Sequence, residues 1–237
     1  MRRHKVAVFG NSVSEVPLKE DKTVVPYPEL LQKKLLPLGW EVISGTIGGG
    51  TILQIEEVAR QVFKTEIPRI VIIQAGIVDC LPRPLSPKER AWLSNLRPSL
   101  LRAAVIRLIH HFRAEIIGVR GVIQFTPLSE YLNCLKRLLE ICYQYDCLVG
   151  ILPVFPVTQS ITSRNPLLSQ EIEKYNQGMR MSDARPYNFD IADFFGHRLI
   201  ESVMISPESV HFNQQGHDLI AGRLFAWMSP TLENVRC

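Results

Sequence analysis

The sequence predicts an α/β protein, a three-layer α/β/α domain built on a five-stranded parallel sheet. Short apolar runs alternate five times with segments of helical periodicity along the 237 residues. This alternation is typical of parallel strands joined by right-handed helical crossovers. Apolar residues make up 46% of the chain and charged residues 21%, enough to bury a substantial core. No repeat or linker interrupts the pattern, so we expect residues 1–237 to form one domain.

Five apolar runs are the predicted strands, and most end at or near a glycine, proline or polar residue. The third run is apolar almost throughout, as expected of a central strand that is covered on both faces. The predicted strands are residues 5–9, 41–44, 69–75, 148–154 and 187–191.

Six segments with helical spacing of apolar residues separate or follow these strands. Gly39 predicts the end of the first helix and Thr51 the N-cap of the second. The segments are 28–38, 51–63, 99–112, 127–145, 166–181 and 214–228. Residues 79–87 are expected to be a proline-rich loop, and 114–126 fits either an inserted loop or an amphipathic turn.

Charge and cysteine content limit the partners and the compartment. The net charge is only +4, and no run of five basic residues occurs, so we expect no nucleic-acid partner. The five cysteines lack a C-x-x-C pair, which favours reduced thiols and a cytoplasmic protein. Apolar stretches are too short for a leader peptide after Arg2 and Arg3 or for a membrane span, so no membrane partner is expected. The oligomeric state is left open.

Chemistry in a parallel sheet gathers at the carboxyl ends of the strands. Ser12 stands just past the first predicted strand, where it fits either an N-cap or a nucleophile. A serine nucleophile needs a base, and the base needs an orienting carboxylate. Glu208 and His211, three residues apart near the C-terminus, supply both groups.

Four sequence blocks, in order, resemble the SGNH (GDSL-type) hydrolases. The blocks are Gly10-Asn11-Ser12, Ile47-Gly48-Gly49-Gly50-Thr51, Gln74-Ala75-Gly76-Ile77-Val78-Asp79, and Glu208-x-x-His211-x-Asn213-x-x-Gly216-His217. The resemblance spans almost the whole chain and implies a flavodoxin-like α/β/α fold, in agreement with the alternation of strands and helices.

The resemblance implies a serine esterase or acyl-transfer enzyme. Ser12 is then the nucleophile, His211 the general base and Glu208 its partner, with the backbone N–H groups of Ser12 and Gly49 forming the oxyanion hole. No metal or organic cofactor is required. The expected partner is a small-molecule O-acyl ester, for example an O-acetylated sugar or metabolite. The blocks also place Asn11, Val78 and Asp79 at the substrate site, with Asp79 expected to anchor its turn rather than to act in catalysis. Arg83, on the loop after the third predicted strand, is the fourth substrate-site candidate and fits either recognition of an anionic substrate group or an ordinary solvated arginine.

The chain departs from the family pattern at three positions. Asn11 and Glu208 each replace an aspartate, and both substitutes keep the required kind of acceptor. Val78 replaces an asparagine whose amide donates to the oxyanion. Loss of one such donor typically costs ~2.7–4 kcal/mol, a factor of ~10²–10³ in rate. A binding protein on the same fold, with impaired or no catalysis, is therefore the alternative prediction.

Other candidate sites are weaker. The glycine turn 45–50 lacks the G-x-G-x-x-G register of a dinucleotide site. His110 and His111 are adjacent on a predicted helix, where their side chains diverge, so joint metal ligation is not expected. His217 is expected to be a cap or packing residue, and Cys80 a buried, inert thiol.

Overall fold

The computed structural model describes residues 4–15, 23–196 and 200–233. Its five strands form one parallel sheet in the order β2-β1-β3-β4-β5. The strands are β1 (His4–Asn11), β2 (Trp40–Ile47), β3 (Ile70–Gln74), β4 (Leu148–Ile151) and β5 (Tyr187–Asn188). The predicted fold class is confirmed. Arg2, Arg3 and Cys237, which entered the predictions of leader and thiol state, lie outside the described residues.

Helices cover both faces of the sheet. One layer pairs α1 with α11, and the other packs α2 on α7 and α7 on α9. The helices are α1 (Tyr27–Leu35), α2 (Ile52–Thr65), α3 (Ile77–Cys80), α4 (Pro87–Ser94), α5 (Ser99–His111), α6 (Arg113–Arg120), α7 (Leu128–Gln144), α8 (Gln159–Arg164), α9 (Leu168–Ser182), α10 (Ile191–Phe195) and α11 (Gln214–Glu233). None of them, within the described ranges, is long and apolar enough to cross a bilayer.

The register of the strands places the carboxyl ends of β1, β2 and β3 at the same height along the sheet. Gly10, near the end of β1, pairs with Thr46 of β2 on one side and with Gln74 of β3 on the other. A single hydrophobic cluster lies above and below these strands and includes every residue from Val6 to Phe9. The turns that follow β1, β2 and β3 therefore leave the same edge of the sheet.

Several boundaries differ from the sequence prediction. The predicted loop 79–87 instead contains the second half of α3 and the first residue of α4, and α4 begins with a capping box between Ser86 and Glu89. α8 falls in a predicted loop, and α6 occupies much of the unplaced segment 114–126. The predicted fifth strand was too long, because Asp190 caps a helix that starts at Ile191.

The described cysteines are free and buried: Cys80, Cys134, Cys142 and Cys147. Burial, reinforced by the nearby Asp79 and Glu171 carboxylates, raises the pKa of the Cys80 thiol. The thiol therefore stays protonated at neutral pH, which agrees with its expected inertness.

His217 joins the helices α1 and α11. Its side chain is fully buried, and its Nδ1 accepts a hydrogen bond from the Tyr27 backbone N–H at 3.2 Å. This is the packing and capping role expected from the sequence. Burial, aided by the nearby His211, lowers the pKa of His217 to about 4. The ring is therefore neutral at physiological pH.

His217 should make the fold acid-sensitive. Between pH 6.5, the ordinary value for histidine, and about 4, the unfolded chain binds a proton that the folded chain does not. The free energy of unfolding should therefore fall as pH drops through this window, by at most about 3 kcal/mol from this residue. Urea unfolding of wild type and His217→Asn, which keeps an acceptor for Tyr27, should show a smaller loss in the variant. Equal losses would contradict this role.

Candidate active site

Ser12 begins a tight turn at the end of β1. The turn, Ser12–Ser14, is a single 3₁₀ turn in which the Asn11 Oδ1 accepts from the Val13 N–H at 3.1 Å. Ser14 Oγ bonds the Gln74 side chain at 2.8 Å, which ties the turn to β3. Ser12 is half-buried, and its Oγ makes no hydrogen bond with any described residue. The hydroxyl is thus held on a fixed backbone without being used by the fold.

Asn11 is fully buried beneath this turn. Its side-chain oxygen accepts the hydrogen bond from the Val13 N–H of the turn, so Asn11 supports the position of Ser12. Gly10, just before it, has no room for a side chain, because an added Cβ would lie 2.3 Å from Ser14 Oγ. The first sequence block is therefore explained locally by packing and capping.

The glycine turn after β2 lies next to the serine turn. Gly49 adopts φ +69°, and an added Cβ there would meet no atom within 4 Å. Its N–H makes no hydrogen bond with the described residues, whereas the Gly50 N–H donates to the Ile47 carbonyl at 2.9 Å. The Thr46 hydroxyl hydrogen-bonds the Glu15 carboxylate, which joins this segment to the end of the Ser12 turn. Gly49 consequently presents an open backbone donor.

The turn after β3 carries Val78 and Asp79. Gly76 starts it with φ +117°, a conformation that favours glycine. Val78 is half-buried, while Asp79 is fully buried and accepts from the Ile52 N–H at 3.0 and 3.3 Å. Burial raises the pKa of Asp79, and its hydrogen bonds act in the opposite direction. Asp79 thus anchors the first turn of α2, immediately after the glycine turn.

Arg83 lies beyond this turn against an aromatic ring. Its guanidinium sits 4.1 Å from the Phe125 ring centroid, and Arg90 lies at the same distance from that centroid. Burial, followed by repulsion from Arg113 and Arg90, lowers the pKa of Arg83 to about 10. The side chain also reaches the Val78 carbonyl, at 3.4 Å. Arg83 therefore connects the Val78 turn to a cluster of positive charge.

His211 lies in a short hairpin before α11. Met204 and Phe212 form an antiparallel bridge, and the Ile205 N–H donates to the His211 carbonyl at 3.0 Å. Asn213 ends the hairpin and caps α11, since its Oδ1 accepts from the Gly216 N–H at 3.1 Å. This contact explains the asparagine of the last sequence block, and the glycine is explained by lack of space, because an added Cβ at Gly216 would lie 2.7 Å from the Val203 carbonyl oxygen.

Ser209, which the sequence analysis did not single out, contacts the imidazole. Its Oγ lies 3.2 Å from His211 Nδ1 and accepts from the His211 backbone N–H at 3.0 Å. Glu208 is exposed, and the structure shows no hydrogen bond or ion pair between these two described residues, Glu208 and His211. The spacing Ser209-x-His211 shows a hydroxyl close to the histidine along the chain, but it does not show that the hydroxyl faces the ring. The predicted role of Glu208 stays a prediction.

The serine and histidine segments meet at one small cavity. The cavity has about 10 Å³ of space, room for roughly one water. It is lined by side chains that lie at or after the ends of β1, β3 and β4 and by one from the hairpin. Val13, next to Ser12, lies on one side, and Val210, next to His211, on another. No hydrogen bond joins Ser12 Oγ to His211 among the described residues. Catalytic hydrogen bonds are often absent or long in free enzymes. The remaining lining residues are Gln74, Ile77, Phe155, Pro156 and Val157.

No group of three histidine, cysteine or carboxylate side chains is placed to hold a metal ion in the part of the chain that the structure describes. His110 and His111 end α5, and both are exposed.

The chain is similar in fold to solved structures, several of which are named as esterases or acylhydrolases. TesA has a TM-score of 0.60 at 15% identity and covers 96% of this chain and 99% of its own. The psychrotrophic esterase EstA from Pseudoalteromonas sp. has 0.55 at 14% identity, covering 97% and 99%. The acetyl xylan esterase AlAXEase has 0.61 at 14% identity, covering 94% and 98%. The TM-scores show a common fold, and at these low identities they show no more than the fold.

No curated protein matches the chain in sequence. A family model, however, matches residues 8–219, which include the four blocks that carry Ser12, Gly49, Asp79 and His211. That match covers most of the 237 residues. The chain belongs to the GDSL-like lipase/acylhydrolase family of hydrolases.

Proposed function

We propose that the protein is a serine esterase or acyl-transfer enzyme that acts on a small O-acyl ester through Ser12 and His211. The observation that carries the proposal is that Val13 and Val210, the chain neighbours of Ser12 and His211, line one small cavity. It lies at the carboxyl edge of the sheet, where catalytic groups gather in this fold class.

The chemistry proceeds in two halves. Ser12 Oγ attacks the ester carbonyl carbon while His211 Nε2 takes the hydroxyl proton. The tetrahedral oxyanion accepts hydrogen bonds from the backbone N–H groups of Ser12 and Gly49. His211 then returns the proton to the leaving alcohol, and an acyl-serine remains. Water, or an acceptor alcohol in the transfer reaction, releases the acyl group by the same steps in reverse.

For Nε2 to act as a base, Nδ1 must carry the other proton. The Ser209 hydroxyl oxygen has two lone pairs, so it can accept from both the His211 backbone N–H and Nδ1–H. We assign ring orientation to Ser209. Glu208, the residue before Ser209, supplies the negative charge that the triad requires. Its carboxylate is exposed, so water screens that charge.

The substrate class follows from the family, whose lipases and acylhydrolases cleave acyl groups. The similar fold of an acetyl xylan esterase supports an O-acetylated carbohydrate as the first class to assay.

Val78 favours a second candidate, a binding protein on this fold with impaired catalysis. The position lies in the turn after β3, and a valine side chain has no donor for an oxyanion. The exposure of the Glu208 carboxylate also favours this second candidate. Covalent labelling of Ser12 separates the two candidates.

A fluorophosphonate probe should label Ser12 in the folded protein, because the base activates its hydroxyl. EstA was solved in a form inhibited by monoethylphosphonate, which supports the choice of probe. Peptide mass spectrometry should place the adduct on Ser12, and Ser12→Ala should abolish it. Ser182→Ala, a change at an exposed serine in the last turn of α9, should label like wild type. Absence of labelling in folded protein favours the binding protein.

Glu208→Gln should lower kcat/KM for a nitrophenyl acetate by less than tenfold, because the carboxylate is exposed and screened. Ser209→Ala should cost more, up to about tenfold, from the loss of a hydrogen bond worth about 0.5–1.5 kcal/mol. Glu201→Gln, another exposed position, serves as the charge control. A loss of ~10³-fold or more in Glu208→Gln would show that the carboxylate, and not Ser209, orients the ring.

Val78→Asn should raise the rate of hydrolysis of short-chain nitrophenyl esters, by up to ~10²–10³-fold if the amide reaches the oxyanion. Val78→Leu, similar in size to asparagine but without a donor, should leave the rate near that of wild type. Equal rates for the two variants would show that no donor is missing at this position.

A further inference from the structure

The segment between β3 and β4 that contains α4, α5 and α6 exposes large apolar side chains. No residue of α5 is buried. Trp92 is 63% exposed, Leu100 83%, Leu108 58% and Val119 89%. Several large apolar side chains exposed in one segment are typical of an interaction site. We call residues 87–122 the insertion.

α5 is amphipathic, and much of its apolar side faces solvent. At about 100° per residue, Leu101, Leu108 and Phe112 fall within an arc of roughly 40°, and all three are exposed. Arg107 and His110 lie on the other side of the helix, together with the exposed apolar Leu100 and Ile106. An exposed apolar stripe beside a basic face is the pattern of a helix that lies in a lipid–water interface.

The insertion also carries the positive charge of the protein. It contains seven Lys or Arg and two Glu, a net +5, whereas the whole chain has +4. One of the two carboxylates, Glu89, is paired with Arg120. Lys88, Arg97 and Arg107 are exposed and make no ion pair with the described residues. The apolar stripe is therefore set in a positive field.

Charge complementarity selects the occupant of this surface. A second copy related by a two-fold axis would place the same positive charges against each other, which disfavours a homodimer here. A soluble polyanion has no apolar region, so the exposed leucines and Trp92 would stay in contact with water if it were the partner. We infer that the insertion docks on a lipid bilayer surface that contains anionic headgroups. The expectation of no membrane partner rested on apolar stretches too short for a leader or a span, and the inference of surface binding differs from it.

The insertion is fixed to the edge of the sheet that carries the cavity. Arg113 donates to the Pro82 carbonyl at 2.9 Å and to Asn165 Oδ1 at 2.8 Å. Pro82 belongs to the segment after β3, and Asn165 ends the segment after β4. Docking would therefore hold this edge next to the lipid surface. The inference does not depend on the hydrolase activity, and Ser12→Ala should dock like wild type.

Vesicle flotation tests the inference with the full chain. Binding is measured to vesicles of phosphatidylcholine alone and of phosphatidylcholine with 30% phosphatidylglycerol. We expect binding to the anionic vesicles, at least tenfold tighter than to the neutral ones, and weakening at 0.5 M salt. The variants Leu101→Ser/Leu108→Ser and Arg97→Glu/Arg107→Glu should each weaken binding by roughly tenfold or more, given about 1 kcal/mol per basic residue.

Matched controls change the same residue types elsewhere. Ile67→Ser/Met181→Ser removes two exposed apolar side chains, and Lys33→Glu/Lys136→Glu reverses two exposed charges. Both should bind like wild type. No binding to either vesicle, or equal binding of all variants, would overturn the inference. So would light scattering that shows a dimer broken by Leu101→Ser/Leu108→Ser, because the second copy would then be the occupant.

Discussion

The in-register pairing of β1 with both of its neighbours is the constraint on which the site depends. Gly10 pairs with Thr46 on one side and with Gln74 on the other, so three turns leave the sheet at one level. Ser14 then bonds Gln74 and Tyr27, which joins the serine turn to β3 and to α1. A slip of one residue in this register would separate Ser12 from Gly49 and from the Val78 turn.

Polar side chains then fix each segment around the cavity. Asn11 bonds the serine turn, Asp79 the start of α2, and Asn213 the start of α11. Asn176, on α9, both accepts from the Val154 N–H at 2.8 Å and donates to its carbonyl at 3.0 Å, just past β4. These side chains hydrogen-bond backbone groups of the turns around the site. Ser12 Oγ and the Gly49 N–H, in contrast, make no hydrogen bond with the described residues and are available to a substrate. A site held in this way needs little reorganisation when charge develops.

Much of the fold could be predicted, because apolar runs and helical periodicity reflect burial directly. The capping box of Ser86 and Glu89 was visible in the sequence, although the prolines around it suggested a loop. The periodicity of 99–112 predicted α5, but a periodic pattern does not say whether a partner covers the helix. The predictions for Ser12, Gly49 and Asp79 fell on turns that share one edge. The contact of Ser209 with His211 could not be predicted, because it depends on how the hairpin bends.

A crystal structure of the protein after reaction with a fluorophosphonate tests the central claim most directly. The account predicts phosphorus bound to Ser12 Oγ, with one phosphonyl oxygen within about 2.7–3.1 Å of both the Ser12 and Gly49 backbone nitrogens. It also predicts His211 Nε2 within hydrogen-bond reach of the Ser12 oxygen or the ester oxygen of the adduct. An adduct whose oxygen points away from Gly49, or an imidazole that stays out of reach, would contradict the account.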